Sequence, residues 1–313
     1  MKPELVVLAA GVGSRFGGLK QLEPVGPAGE KVLDYALYDA RRAGIERVVF
    51  VIRKDFEQAF HQEIGARHAQ RMDVAYACQE LDLLPEGFPL LPGRTKPWGT
   101  AHALLAARSQ VSGPFLAINA DDFYGRTAFE RLTDFLLRPG ETRPGAYGMV
   151  AFRMGNTLSK HGPVARGICI VGPDGLLTSV EEHTGLERDG GGIREHSAQG
   201  TIRRFSGQEP VSMNIWGFRP DLFDQLQERF HRFLAAHGQD PRAEFFIPSV
   251  VDELIQEGRA TVRVLETPDR WFGVTYREDG ASVQARIREL VAAGEYPPSL
   301  WNSAGPPPST DPR

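Results

Sequence analysis

The segment Leu8-Ala9-Ala10-Gly11-Val12-Gly13-Ser14-Arg15-Phe16-Gly17-Gly18-Leu19-Lys20 constrains this chain more than any other. A continuous apolar run of strand length, Leu5 to Ala9, feeds straight into a loop with four glycines. Glycine allows positive φ and lets backbone N–H groups approach an anion closely, at an entropic cost that a plain turn does not require. The same loop presents two cations, Arg15 and Lys20. Two familiar phosphate loops do not fit. A dinucleotide fingerprint needs glycine where Phe16 stands and a helix opening inside the loop, whereas Pro24, Gly26, Pro27 and Gly29 follow. A Walker A loop needs Lys directly after Gly18 and then Ser or Thr, whereas Leu19, Lys20 and Gln21 follow. What remains is a loop wrapping a polyphosphate, with two positive side chains aimed at it.

The pattern around this loop is α/β. Strands are expected at Arg47 to Ile52, Asp73 to Gln79 and Pro114 to Asp121. Helices are expected at Val32 to Ala43, from Asp55 to about Ala69, and at Thr100 to Arg108. Continuous rather than alternating hydrophobicity marks strands covered on both faces, as in a parallel sheet between helix layers. Later strands are expected at Tyr147 to Arg153, Gly167 to Val171, Leu176 to Val180, Val211 to Phe218, Thr261 to Glu266 and Trp271 to Tyr276. Pro173-Asp174-Gly175 reads as a hairpin turn, and Glu187 to Arg204 as a charged loop or flap. Asp221 is expected to cap a helix to about His237, Phe245 to Gln256 to form a shorter one, and Asp279 to open a last helix to about Ala293. Residues 1–295 read as one domain, with a nucleotide half to about 125 and a substrate half from about 126. The proline-rich residues 296–313 read as a disordered tail.

With 313 residues, a net charge of −4 and 24% charged residues, the chain is neither an acidic disordered segment nor a basic nucleic-acid binder. Its two cysteines, Cys78 and Cys169, sit in apolar runs without metal-ligand spacing and read as buried reduced thiols. No apolar stretch approaches the ~20 residues that span a bilayer. A cytoplasmic protein with neither membrane nor nucleic-acid partner is expected, and homo-oligomerisation is left open.

The loop resembles the signature of the sugar-1-phosphate nucleotidyltransferase family, L-A-A-G-x-G-[ST]-R followed by a Lys. The resemblance implies a Rossmann-like three-layer α/β/α fold, glycosyltransferase-A-like, with a mainly parallel mixed central sheet. It implies the reaction of a nucleoside triphosphate with a sugar 1-phosphate, giving an NDP-sugar and pyrophosphate, with Mg²⁺. Leu8, Ala9, Ala10, Gly11, Gly13 and Ser14 would cradle the nucleotide. Arg15 stands at the family's triphosphate-binding Arg, and Lys20 at its catalytic Lys, although Leu19 replaces the usual preceding Pro.

Further resemblance places Gln79, Gly99 and Thr100 at the nucleobase, with Gly99 leaving room for a flat ring. The long span Leu81 to Trp98 leaves room for a lid whose Trp98 would stack on a base or sugar. Asn119-Ala120-Asp121-Asp122-Phe123-Tyr124-Gly125 resembles the family's G-D-N-x-F-Y-G, which puts Asp121 at the metal and Asp122 where Asn is common. Two carboxylates at a strand end repel unless a cation intervenes, and Mg²⁺ takes a carboxylate or two plus phosphate oxygens.

In the second half the resemblance places Gly167 and Glu182 at the sugar. His183 falls at the family's phosphate-gripping Lys, with Arg166 or Arg194 as substitutes. Ser212 and Asn214 alternate along one strand and are candidates for sugar hydroxyls. Trp271-Phe272-Gly273-Val274-Thr275 resembles W-x-D-x-G-T, but Gly273 replaces the second metal ligand, leaving Asp269, Glu278 or Asp279 as candidates. Two alternatives stay open: a cytidylyltransferase acting on a phospho-alcohol such as phosphocholine, and a non-catalytic nucleotide-sugar-binding homologue.

Overall fold

The structure, a computed structural model, describes residues 1–11, 23–159, 162–196, 202–273 and 279–301. Its centre is a parallel block in the spatial order β3-β2-β1-β4: β1 (Glu4–Leu8), β2 (Arg47–Ile52), β3 (Asp73–Cys78) and β4 (Phe115–Asn119). Strand β11 (Pro210–Phe218) runs antiparallel to β4 and leads to β7 (Val164–Val171), β8 (Leu177–Asp189), β9 (Gly192–His196) and β10 (Ile202–Phe205), each antiparallel to its neighbour. Strand β6 (Ala146–Arg153) also pairs with β11 and takes β12 (Thr261–Glu266) as a parallel partner. A separate two-stranded ribbon joins β5 (Asp122–Phe123) to β13 (Phe272–Gly273).

Alternation along the central strands builds the layers. Leu5 and Val7 face one side, with Leu33 and Leu37 of α1 (Val32–Arg42) and Phe129 and Leu132 of α3 (Arg126–Leu137). Val6, Val49 and Ala117 face the other, with α2 (Thr100–Ala106), α4 (Leu222–His237) and α5 (Ile247–Gln256). The expected α/β/α sandwich therefore follows from strands buried on both faces. A third cluster packs α6 (Asp279–Ala292) and Tyr296 against α1 and Phe123.

Several expectations are corrected. The helix expected after Asp55 is a broken series of short 3₁₀, α and π turns from Lys54 to His68, bent where Gly65 lies under the Tyr76 hydroxyl. Glu187 to Arg204 is not a flap in its described part: it forms the end of β8, all of β9 and part of β10, with cross-strand ion pairs Arg194–Glu187 and Arg204–Asp189. Asp221 stands at the N-cap of α4 as expected, but its carboxylate makes no bond to the helix and instead accepts hydrogen bonds from the Gly145 N–H and the Tyr147 hydroxyl. Cys169 is buried, but Cys78 is half-buried; both are free thiols. Residues 296–301 pack rather than trail away, with Tyr296 and Leu300 buried in the third cluster.

That packing carries a pH signature. The Tyr296 hydroxyl donates to Asp39 Oδ2 at 2.6 Å, and burial pushes the Asp39 carboxyl up to about 7 despite this bond and the nearby Arg42. A carboxyl raised on folding contributes stability that is complete below its unfolded pKa and is lost as pH climbs through the folded value. Unfolding free energy is expected to fall between about pH 4 and 7 by an amount on the order of 4 kcal/mol from this group. Tyr296→Phe removes the donor and should steepen the loss. Urea melts at pH 5 and pH 8 check this: equal destabilisation at both pH values would contradict it.

Candidate active site

The ends of β1 and β4 lie side by side, Leu8 opposite Asn119, and the Ala120 N–H donates to Leu8 O. Ala9 and Ala10 are buried, and Gly11 is exposed where the chain leaves the sheet. Gly13, Ser14, Arg15 and Lys20 lie outside the described residues, so their expected roles stay with the sequence reading. Beside this edge opens a cleft of about 730 Å³. It brings together Thr100, Asp121, Gly167, Glu182, Ser212 and Asn214, contributed by both halves of the chain. Among its described lining residues, five carboxylates (Asp121, Asp122, Glu182, Asp252 and Glu253) face one guanidinium, Arg166. Such an excess favours cations, from a metal, from substrate or from another part of the chain.

The acid pair is held by a relay that the sequence reading missed. Trp216 Nε1 donates to Asn214 Oδ1 (3.0 Å), Asn214 Nδ2 to Asn119 Oδ1 (2.6 Å), and Asn119 Nδ2 to Asp122 Oδ2 (2.9 Å). The Tyr124 hydroxyl also faces Asp122 Oδ2, at 3.3 Å. Asn214 adopts φ +60°, at a break in register of β11 between Ser212 and Trp216. Left-handed backbone at a non-glycine residue costs free energy, and Asn tolerates it best. Asn214 lines the cleft with Ser212 while its amide serves the relay.

Gly273 pairs directly with Asp122. A Cβ added at Gly273 would lie 2.5 Å from Asp122 Oδ1 and 2.8 Å from Trp271 Cζ2. The carboxylate of Asp122 thus fills the space beside the missing side chain. Of the other acids considered for that place, Asp269 caps α3, accepting from the Thr127 N–H at 2.8 Å, and Asp279 accepts from the Ser159 hydroxyl at the start of α6. Glu278 lies outside the described residues. No cluster of three or more His, Cys, Asp or Glu among the described residues is arranged to hold a metal. The adjacent pair Asp121–Asp122 fits the mode in which Mg²⁺ takes one or two carboxylates and completes its shell with phosphate oxygens and water.

On the acceptor wall Glu182 faces the cleft and His183 does not. Consecutive strand residues point to opposite faces, and His183 is buried with Nδ1 3.1 Å from Glu195 Oε1 and its ring edge-on to Phe205. Arg166, one of the two substitutes considered for His183, lines the cleft. Its guanidinium donates to the Thr157 hydroxyl and carbonyl and lies 5.0 Å from the Trp271 ring centre. Burial lowers its pKa, opposed by Asp122 and Glu182, and burial raises that of Glu182, opposed chiefly by Arg166. Arg194 on β9, the other candidate, is bound to Glu187 on β8.

Gln79 ends β3 beside a separate recess of about 320 Å³ that also includes Arg53, Lys54 and Trp98. His102 Nε2 faces Leu83 O at 3.0 Å, so that nitrogen carries the proton and Nδ1 is an acceptor. Burial, its largest influence, pushes His102 down to about 4, so the ring is neutral at pH 7. Gln79 Nε2 then donates to both His102 Nδ1 and Gly99 O, which fixes the amide with Oε1 as its uncommitted atom. Gly99, at φ +101°, is required by packing: a Cβ there would meet the Phe245 carbonyl at 2.5 Å. Trp98 does not stack on a ligand, since it is 1% exposed, bonded to Leu81 O and covered by Arg94. Nor is the 81–98 span a lid: Arg94 ties it down through Asp240 O and Ala243 O.

Residues 5–142 match the profile of the MobA-like NTP transferase domain. That stretch contains the glycine-rich loop, Gln79, Gly99, Thr100 and the Asp121–Asp122 pair, whereas Gly167, Glu182, Ser212 and Asn214 lie beyond it. The whole chain also shares its fold with two solved nucleotidyltransferase structures. A protein described as a glucose-1-phosphate thymidylyltransferase from Bacillus anthracis superposes with a TM-score of 0.58 at 15% identity, over 91% of this chain and 95% of that one. The inositol-1-phosphate CTP transferase from T. maritima gives 0.60 at 12% identity, over 92% and 97%. No curated protein matches the chain in a sequence comparison. The matched residues thus supply the β1 edge and the acids, and the later strands supply the opposite wall. No described helix is long and apolar enough to cross a membrane.

Proposed function

We propose that this NTP transferase transfers a nucleoside monophosphate from a triphosphate to a sugar 1-phosphate, releasing pyrophosphate. The observation that carries the reading is the single cleft in which Asp121 and Asp122 face Gly167, Glu182, Ser212 and Arg166. The acceptor phosphate is already an anion, so in-line attack on the α-phosphorus needs no general base. Catalysis then lies in orientation and charge neutralisation. Lys20 neutralises charge at the α-phosphate, and Arg15 holds the departing pyrophosphate. Mg²⁺ held by Asp121 and Asp122, when bound, screens the phosphates from the incoming anion. Gln79 offers Oε1 to an N–H on the base edge. Arg166 holds the acceptor phosphate, and Glu182 accepts from sugar hydroxyls. A matrix of nucleoside triphosphates against sugar 1-phosphates with Mg²⁺, read as pyrophosphate release, tests the proposal; no release with any pair refutes it.

One observation favours a second reading. The acceptor wall sets Phe246, 42% exposed, and Trp271 among Glu182, Asp252 and Glu253. Acids with aromatic faces suit a quaternary ammonium group, so the matrix includes CTP with phosphocholine. If sugars are the acceptors, Glu182→Gln is expected to raise acceptor KM about tenfold, the cost of a charged hydrogen bond, with kcat nearly unchanged. Initial rates at varied acceptor check this; an unchanged KM would remove Glu182 from the acceptor site.

A further inference from the structure

A second cavity, of about 640 Å³, shares Trp271 with the cleft. Four arginines line it: Arg153 at the end of β6, Arg188 on β8, Arg270 before β13, and Arg286 on α6. No described Asp or Glu lines it. Arg188 donates to the Gly155 carbonyl, and Arg286 is paired with Glu289 but keeps a buried Nε with no hydrogen-bond partner among the described residues. Trp271 and Phe272 add an aromatic wall.

Like charges sharing one cavity repel, and among the described ion pairs only Glu289, beside Arg286, offsets one of them. The guanidinium fork matches phosphate oxygens two at a time. The volume falls within the few hundred to a thousand Å³ typical of small-molecule sites. We propose that this cavity is a second binding site, for an organic diphosphate whose phosphates meet the arginines and whose ring lies on Trp271 and Phe272.

The site is built to be sensed in the cleft. Trp271 lines both cavities, and its indole N–H is buried with no hydrogen-bond partner among the described residues. Arg166 lies over the same ring, and Phe272 stacks on Phe123 with centroids 4.2 Å apart, beside Asp122. A ligand that shifts Trp271 therefore acts on Arg166 and Asp122 through direct contacts. The effect on transfer rests on the proposed function; binding itself does not.

Calorimetric titration with UDP and with inorganic pyrophosphate, in EDTA, tests the site. Both should bind the full chain, UDP more tightly by about tenfold if the aromatic wall is used. The R153A/R270A variant should lose at least tenfold in affinity for both, while Lys20→Ala retains it. UDP should quench tryptophan emission in the wild type but not in W271F. Under transfer conditions R153A/R270A should keep the basal rate and lose its response to UDP. Unchanged affinity in R153A/R270A, or loss in Lys20→Ala alone, would overturn the proposal. Displacement of UDP by a single-stranded RNA that binds more tightly would also overturn it. Binding with the expected variant pattern but no pyrophosphate release from any substrate pair would uphold the site and refute only the proposed reaction.

Discussion

Lys20→Ala is expected to lower kcat by a factor of about 10² or more, roughly 2.7 kcal/mol of transition-state stabilisation, without changing the fold. The argument is one of charge. Five described carboxylates and a single arginine line the cleft. A triphosphate and an acceptor phosphate add further negative charge, and attack brings two of those anions into contact. The sequence reading assigns the neutralising charge to Arg15 and Lys20, which follow Gly11 in the chain. Lysine is a compact point charge that can follow the α-phosphate through its change of geometry, whereas the arginine fork suits the leaving pyrophosphate. Lys20→Arg should therefore recover only part of the rate. Single-turnover kinetics separate chemistry from binding, and circular dichroism checks the fold. A near-wild-type chemical step in Lys20→Ala would remove Lys20 from the reaction.

The nucleotide half was legible because its physics is local. Arg47 to Ile52 reads as a strand buried on both faces, and β2 has those bounds. The α3 helix shows Ala128, Phe129, Leu132 and Leu136 on one helical face, but Gly125 precedes it in place of a polar capping residue, so its start is not marked in the sequence. The β8–β9 hairpin lacks an apolar stripe and is stabilised partly by cross-strand charge pairs, which resemble a solvated loop in sequence. His183 shows how little separates a site residue from a buried one: a single step along a strand turns the side chain to the opposite face. The relay from Trp216 to Asp122, and the pairing of Asp122 with Gly273, join residues about a hundred or more positions apart; no local period announces them.

Asp121→Asn is expected to reduce kcat by about 10² to 10³, the usual scale for removing one group that stabilises transition-state charge. The accompanying result is the more informative one: Asp122→Asn should also cost at least tenfold, although Asn is the residue that commonly follows the metal-binding Asp in the resembling pattern. With no side chain at Gly273, a second carboxylate can come only from another position. Asp122 is pressed into that space, its Oδ1 2.5 Å from where a Cβ at 273 would sit. Asn119 and Tyr124 hold its other oxygen, so the carboxylate has a fixed orientation. An amide at 122 keeps the shape and loses the charge, so its effect should appear as weaker Mg²⁺ dependence rather than as unfolding. Titrating activity with Mg²⁺ and measuring Mn²⁺ affinity by electron paramagnetic resonance provide two readouts. If Asp122→Asn leaves both unchanged while Asp121→Asn abolishes them, the metal rests on a single carboxylate and the pairing with Gly273 is a matter of packing alone.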